Sequence, residues 1–240
     1  MSSKSIKELY ELIGDKELTF FMPLEKIFDV NETDFNRVYK KIIDLEDISQ
    51  LSYQDRAVTA TFLIHQWKRT KAQRNFVKNI IINFLKKQIE IANSDEYIIC
   101  LDFLCNNDLI LRYLHIRNIV NIEDAFKGFL NMGWTLYINK TNFPYWTSDN
   151  PFAIENITEI EQNNAMQIRD GFKIYFPLSP KICLMLYDPF FYKYPSKIFD
   201  IDVKSVSEKN MLQVASALRN VFSFDNTSLI NELINKPFSS

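Results

Sequence analysis

Glycine is scarce in this chain, and its scarcity excludes a good deal of chemistry. The four glycines, Gly14, Gly128, Gly133 and Gly171, stand far apart, so neither a phosphate-cradling P-loop nor a dinucleotide-binding fingerprint can be assembled. The two histidines, His65 and His115, lie on separate stretches without the adjacent glutamate of a zincin helix, so no zincin-type zinc site is expected and no residue is assigned as a metal ligand. No G-x-S-x-G nucleophile elbow occurs. The three cysteines, Cys100, Cys105 and Cys183, are odd in number, lack metal-type spacing and sit in apolar runs; they read as buried free thiols. Apolar runs stop short of the roughly 20 residues a membrane helix needs. Residues 1–7 lead into a mixed polar and apolar stretch rather than a signal-peptide core, and a cytoplasmic location without membrane association is the expectation. A net charge of -2 gives no global bias toward nucleic acid or anionic lipid.

Apolar and aromatic side chains are plentiful instead. Hydrophobic residues make up 47% of 240 positions, with 20 Phe, 11 Tyr and 3 Trp, enough for a large core needing neither disulfide nor metal. No repeat or Gly/Ser-rich linker divides the chain, so one domain is expected, with a helical zone over 1–132, a strand-rich zone over 133–190 and closing helices over 191–240. Asn31 with Asp34 reads as an N-cap, and Ser52 with Asp55 as a capping box opening a helix to about Thr70. Further helices are predicted over 74–92, 95–105, 107–117 and 121–131. From Trp134 short β-branched and aromatic runs follow (WTLYI, PYWT, PFAI, FKIYF, ICLMLY), the pattern of antiparallel strands. Asp170-Gly171 is a hairpin signal between MQIR and FKIYF, and Pro177 and Pro180 bracket a turn. Ser205 with Glu208 reads as a capping box for a helix running to Phe222, and a last helix is predicted over 226–235. Strands that cluster rather than alternate with helices give an α+β fold: a helical zone packed on a mostly antiparallel sheet, then closing helices.

The helix over 53–70 carries apolar side chains on nearly every side, so it should be buried. Its wheel places Lys68 beside Thr61 on a narrow wet strip and turns His65, Gln66 and Arg69 inward. A buried guanidinium requires a fixed acceptor. Arg69 either staples the helices to the sheet or offers its planar fork to a carboxylate or phosphate ligand, with His65 as a core residue or a binding group. The basic stretch Lys68, Arg69, Lys71, Arg74, Lys78 is open to a weaker nucleic-acid reading.

Residues 147–151 read Thr-Ser-Asp-Asn-Pro between two strand-like runs. An Asx-type turn explains them structurally. Functionally, Asp149 would be the partner of Arg69 or a general base, with Ser148 and Asn150 as hydrogen-bonding neighbours.

GWTLYINKTNFPYWTSDNPF followed by FKIYFPLSPKICLML resembles the signature of a bacterial family of unknown function, numbered 4238. The resemblance extends to SYQDRAVTATFLIHQWKRT and SVSEKNMLQVASALRNVF, most of the chain in order. It implies that Gln66 and Arg69, Thr147 to Pro151 and Pro177 to Pro180 occupy the family's marked positions. Family members open with a segment like H-x-x-P-Q-x-x-L-R-x-F, which residues 1–50 lack. A member without its N-terminal segment is therefore expected, inactive or dependent on a partner if that His and Arg are catalytic. The family brings no reaction and no cofactor.

The resulting expectation is a cleft between helices and sheet in which Asp149, Arg69 and Gln66 act and Ser148, Asn150 and His65 bind. A hydrolase or nuclease-like enzyme is weighed against a non-catalytic protein-binding or regulatory module.

Overall fold

The computed structural model describes residues 25–92, 95–106, 108–155 and 171–224. Six helices come first. α1 spans 25–45; α2 (Tyr53–Arg69), α3 (Lys71–Ala92), α4 (Asp95–Cys105), α5 (Asp108–Val120) and α6 (Glu123–Asn131) follow. Asn31 is therefore no N-cap: α1 runs straight through it, and its amide is used elsewhere.

Ser52 does cap α2, and Asp55 returns the bond, so both halves of the capping box form. Asp55 does more than cap. Its side chain is 6% exposed and accepts from Lys41 Nζ at 2.9 Å, while Arg37 lies 3.5 Å away. One carboxylate thus ties the start of α2 to α1. The Lys41 hydrogen bond, helped by Ser52, holds its pKa below the usual carboxylate value against the opposing effect of burial. A depressed folded pKa contributes stability above the unfolded value of about 3.9, lost as pH falls through the folded value. Asp55→Ala is expected to cost about 2 kcal/mol near neutrality, combining a lost cap with lost charge-assisted bonds. Melting curves at neutral pH and at about pH 2 should show that gap narrowing in acid. A gap equally wide at both would assign the loss to packing.

Five strands make the main sheet: β1 (Gly133–Asn139), β3 (Ala153–Glu155), β4 (Lys173–Ser179), β5 (Ile182–Tyr187) and β6 (Ile198–Ile201). Their order is β3-β4-β5-β1-β6, antiparallel throughout except the β1–β6 pair. The fold is thus α+β with an open, mostly antiparallel sheet. Alternation sorts the two faces. Leu136, Ile138, Ile174, Phe176, Ile182, Leu184 and Leu186 join Leu63 and Ile64 of α2, Val38 and Ile42 of α1 and Phe129 of α6. Tyr137, Tyr175, Cys183 and Met185 face Val206 and Leu212 of α7 (Val203–Ser216). Burial of both faces explains why ICLMLY is apolar without a break. At Gly133, opposite Tyr187 in the ladder, the tyrosine ring fills the place a Cβ would take.

The chain after residue 190 departs from the expectation of closing helices alone. β6 adds an edge strand that the sequence reading omitted. Asp202, not Ser205, caps α7, its carboxylate accepting from Ser205 N at 2.8 Å. The helix stops at Ser216, and Val221–Phe222 forms β7, paired antiparallel with β2 (Thr147–Ser148) in a second, two-stranded sheet. Gly171 has φ 76 as a turn glycine should, whereas Asp170, MQIR and the helix predicted over 226–235 lie outside the described residues. Cys183 is buried as expected, but Cys105 is exposed, and the side chain of Cys100 lies outside the described set. No helix among the described residues is long and apolar enough to cross a membrane.

Candidate functional site

The six residues singled out in the sequence fall into two groups. His65, Gln66 and Arg69 face α1, while Ser148, Asp149 and Asn150 are held by α7 and the segment after it.

Arg69 does not meet Asp149. It is exposed, Nη1 lies 3.0 Å from Glu32 Oε1, and the guanidinium lies 4.5 Å from the centroid of the Phe28 ring. Lys68, expected in water, is the buried one, 7% exposed. Its Nζ donates to the carbonyls of Asn118 at 2.6 Å and Asn121 at 2.5 Å, neutralising the negative end of α5. The reversal has a simple cause: α5 packs over the Lys68 side of α2, and Arg69, at the end of the helix, reaches past the core. A basic face without Lys68, and with Arg69 paired, is a poorer phosphate track than the sequence suggested. His65 is buried, its Nδ1 2.8 Å from Asn31 Nδ2. An amide nitrogen only donates, so the neutral ring carries its proton on Nε2. Burial, together with the charges of Lys68 and Arg69, pushes the imidazole pKa down, which keeps that acceptor available.

In the second group, α7 lays a row of polar side chains against residues 144–151. Asn210 Oδ1 accepts from Trp146 N at 2.8 Å and its Nδ2 donates to Pro144 O at 3.0 Å. Gln213 Nε2 donates to Pro151 O at 2.8 Å, and its Oε1 lies 3.1 Å from Ser148 Oγ. Asn150 Nδ2 donates to Ser216 O at 3.1 Å, and Asp149 Oδ1 accepts from Leu218 N at 2.9 Å. Positions 210, 213 and 216 recur every three residues and share a helix face. The turn at 147–151 is thus braced from outside as well as by its own Ser148–Asn150 contact of 2.7 Å.

Gln66 sits elsewhere. It lines a groove of about 330 Å³ between α1, α2 and the end of β4, together with Glu32, Asn36, Tyr39, Pro177 and Leu178. Aromatic rings form its base: Phe35 and Phe62 stack with centroids 3.8 Å apart, and Phe176 stands edge-on to Phe62 at 6.4 Å. Tyr39 Oη donates to Leu178 O at 3.3 Å. The side-chain amides of Asn36 and Gln66 make no hydrogen bond to any described residue. Two of the marked segments, Gln66 and the Pro177 turn, therefore do meet. The third reaches them through one ring, since Phe152, directly after the turn, packs on Phe176 at 4.9 Å.

Glu32, Asn36 and Tyr39 escaped the sequence reading although their spacing of four and three puts them on one helical face with Phe28 and Phe35. A helix starting at Asn31 leaves Phe28 off that face. Among the described residues no group of three His, Cys, Asp or Glu side chains is placed to hold a metal ion.

A mixed, mostly antiparallel sheet with helices on both faces defines an α+β protein. The chain belongs to the family described as protein of unknown function (DUF4238), whose model matches residues 5–227. No curated protein and no solved structure matches it.

Proposed function

We propose that this chain binds a small ligand, with an apolar body and a hydrogen-bonding head, in the groove between α1, α2 and the end of β4. The observation that carries this reading is an aromatic base flanked by two amides, Asn36 and Gln66, that make no hydrogen bond among the described residues. Ligand sites combine apolar and aromatic walls with a few placed polar groups that fix the ligand's orientation. The groove's size falls at the small end of the range such sites occupy, about 300–1,000 Å³. Gln66 serves as a binding residue here and Arg69 as a charge at the mouth, held by Glu32.

The hydrolase or nuclease-like alternative draws less support from the geometry. The carboxylate of Asp149 takes the Leu218 N–H, and Ser148 and Asn150 are engaged with α7; these are bracing roles. His65, tied to Asn31, positions α1 against α2.

Nuclear magnetic resonance with N-acetylphenylalaninamide, indole and phenol as neutral probes tests the reading. The side-chain amide signals of Asn36 and Gln66 are expected to shift saturably with at least one probe, and Gln66→Leu to weaken that response several-fold. Shifts scattered over the surface, or none with any probe, would remove the groove as a binding site.

A further inference from the structure

Resting on the groove reading, we infer that its ligand is a zwitterion with an apolar side chain, of the free α-amino acid class. Glu32 lines the groove and pairs with Arg69, and that ion pair supplies the reason. Glu32 and Arg69 hold opposite charges 3.0 Å apart through a single contact, Nη1 to Oε1, and both side chains are nearly half exposed. The other N–H groups of Arg69 and the second oxygen of Glu32 make no hydrogen bond among the described residues. A guanidinium presents several donors in a plane, so one contact leaves most of its fork unused.

An α-amino acid carries its ammonium and carboxylate about as far apart as those two charges. Set head to tail against the pair, its carboxylate meets the free edge of Arg69 and its ammonium the free oxygen of Glu32. Four alternating charges then close a ring, each near two of opposite sign. A ligand with only an anion would have to work against Glu32, and one with only a cation against Arg69, since like charges at such distances repel. Phe28, over whose ring the Arg69 guanidinium lies, limits the directions in which the fork can turn. The apolar part of the ligand is taken by Phe62, Phe176, Pro177 and Leu178, which line the groove with Glu32, while Asn36 and Gln66 bond the remaining polar edge.

The test is calorimetry on the full chain with four probes: L-phenylalanine, phenethylamine, phenylpropionate and N-acetylphenylalaninamide. Phenylalanine is expected to bind at least tenfold tighter than each of the other three, the loss expected when a charge-assisted hydrogen bond is removed. Glu32→Gln and Arg69→Gln should each erase that advantage, so that on the same variant phenylalanine binds no more tightly than the neutral amide. Because the pair is exposed, both variants should melt close to the parent chain, so lost binding cannot be ascribed to unfolding. If the neutral amide binds as tightly as phenylalanine, the zwitterion assignment falls and the groove reading stands. Failure of all four probes overturns the zwitterion assignment, and the groove reading falls with it only if indole and phenol also leave the Asn36 and Gln66 signals unmoved.

Discussion

Replacing Asn210 with leucine should cost the fold about 4 kcal/mol, although the new side chain keeps the same branching. The asparagine is 1% exposed and bonds two backbone groups at once, the N–H of Trp146 and the carbonyl of Pro144. Leucine leaves both buried without partners, at roughly 1–3 kcal/mol each. Urea titration measures the loss directly. Gln213→Leu, also 1% exposed, removes the bond to Pro151 O and the contact with Ser148, and a smaller loss of about 2 kcal/mol is expected because the Ser148 hydroxyl keeps its contact with the Asn150 carbonyl. A loss under about 1 kcal/mol for Asn210→Leu would mean that the bend from 144 to 151 stands without α7.

Phe152→Ala should cost a similar amount, about 4 kcal/mol, for a different reason. The ring is 1% exposed and packs on Phe176; its removal leaves a cavity in the main core, in the range found for buried aromatic truncations. A second consequence separates this site from an ordinary core position. Phe176 forms part of the groove's base, whereas Phe152 does not line it, so the variant should also weaken binding of the neutral probes. Phe152→Leu, expected to cost under about 2 kcal/mol, offers a folded chain for that measurement. Undiminished probe binding in the leucine variant would show that the base of the groove is held without Phe152.

What could be read from the chain in advance follows the range of the interactions involved. The Ser52–Asp55 cap involves residues three apart, and the runs that became β1, β4 and β5 declare themselves by their own composition. β6 does not: Ile198–Ile201 is short, flanked by polar residues, and owes its strand geometry to Leu136–Asn139, some sixty positions earlier. The wheel of α2 gave correct angles but not the identity of what lies against each side, so it put Lys68 in water and Arg69 in the core, the reverse of what α5 and α1 impose. Glu32 is out of reach as the partner of Arg69 because it stands on another helix 37 positions earlier, with no local pattern that links the two. The turn at 147–151 was recognised from its residue types, but its dependence on Asn210, Gln213 and Ser216 was not, because polar residues every three positions on a helix look the same whether they meet water or another backbone.

The bond pattern between α7 and the bend also constrains how the sequence can change over time. Asn210 both gives and takes a hydrogen bond, so an aspartate there would set a negative oxygen against the carbonyl of Pro144, and a leucine would satisfy neither group. The groups that residues 144–151 offer to Asn210 and Gln213 are mostly main-chain ones, which nearly every residue type supplies. The bend's own residues can therefore vary more freely than Asn210, whose loss no change among them makes good.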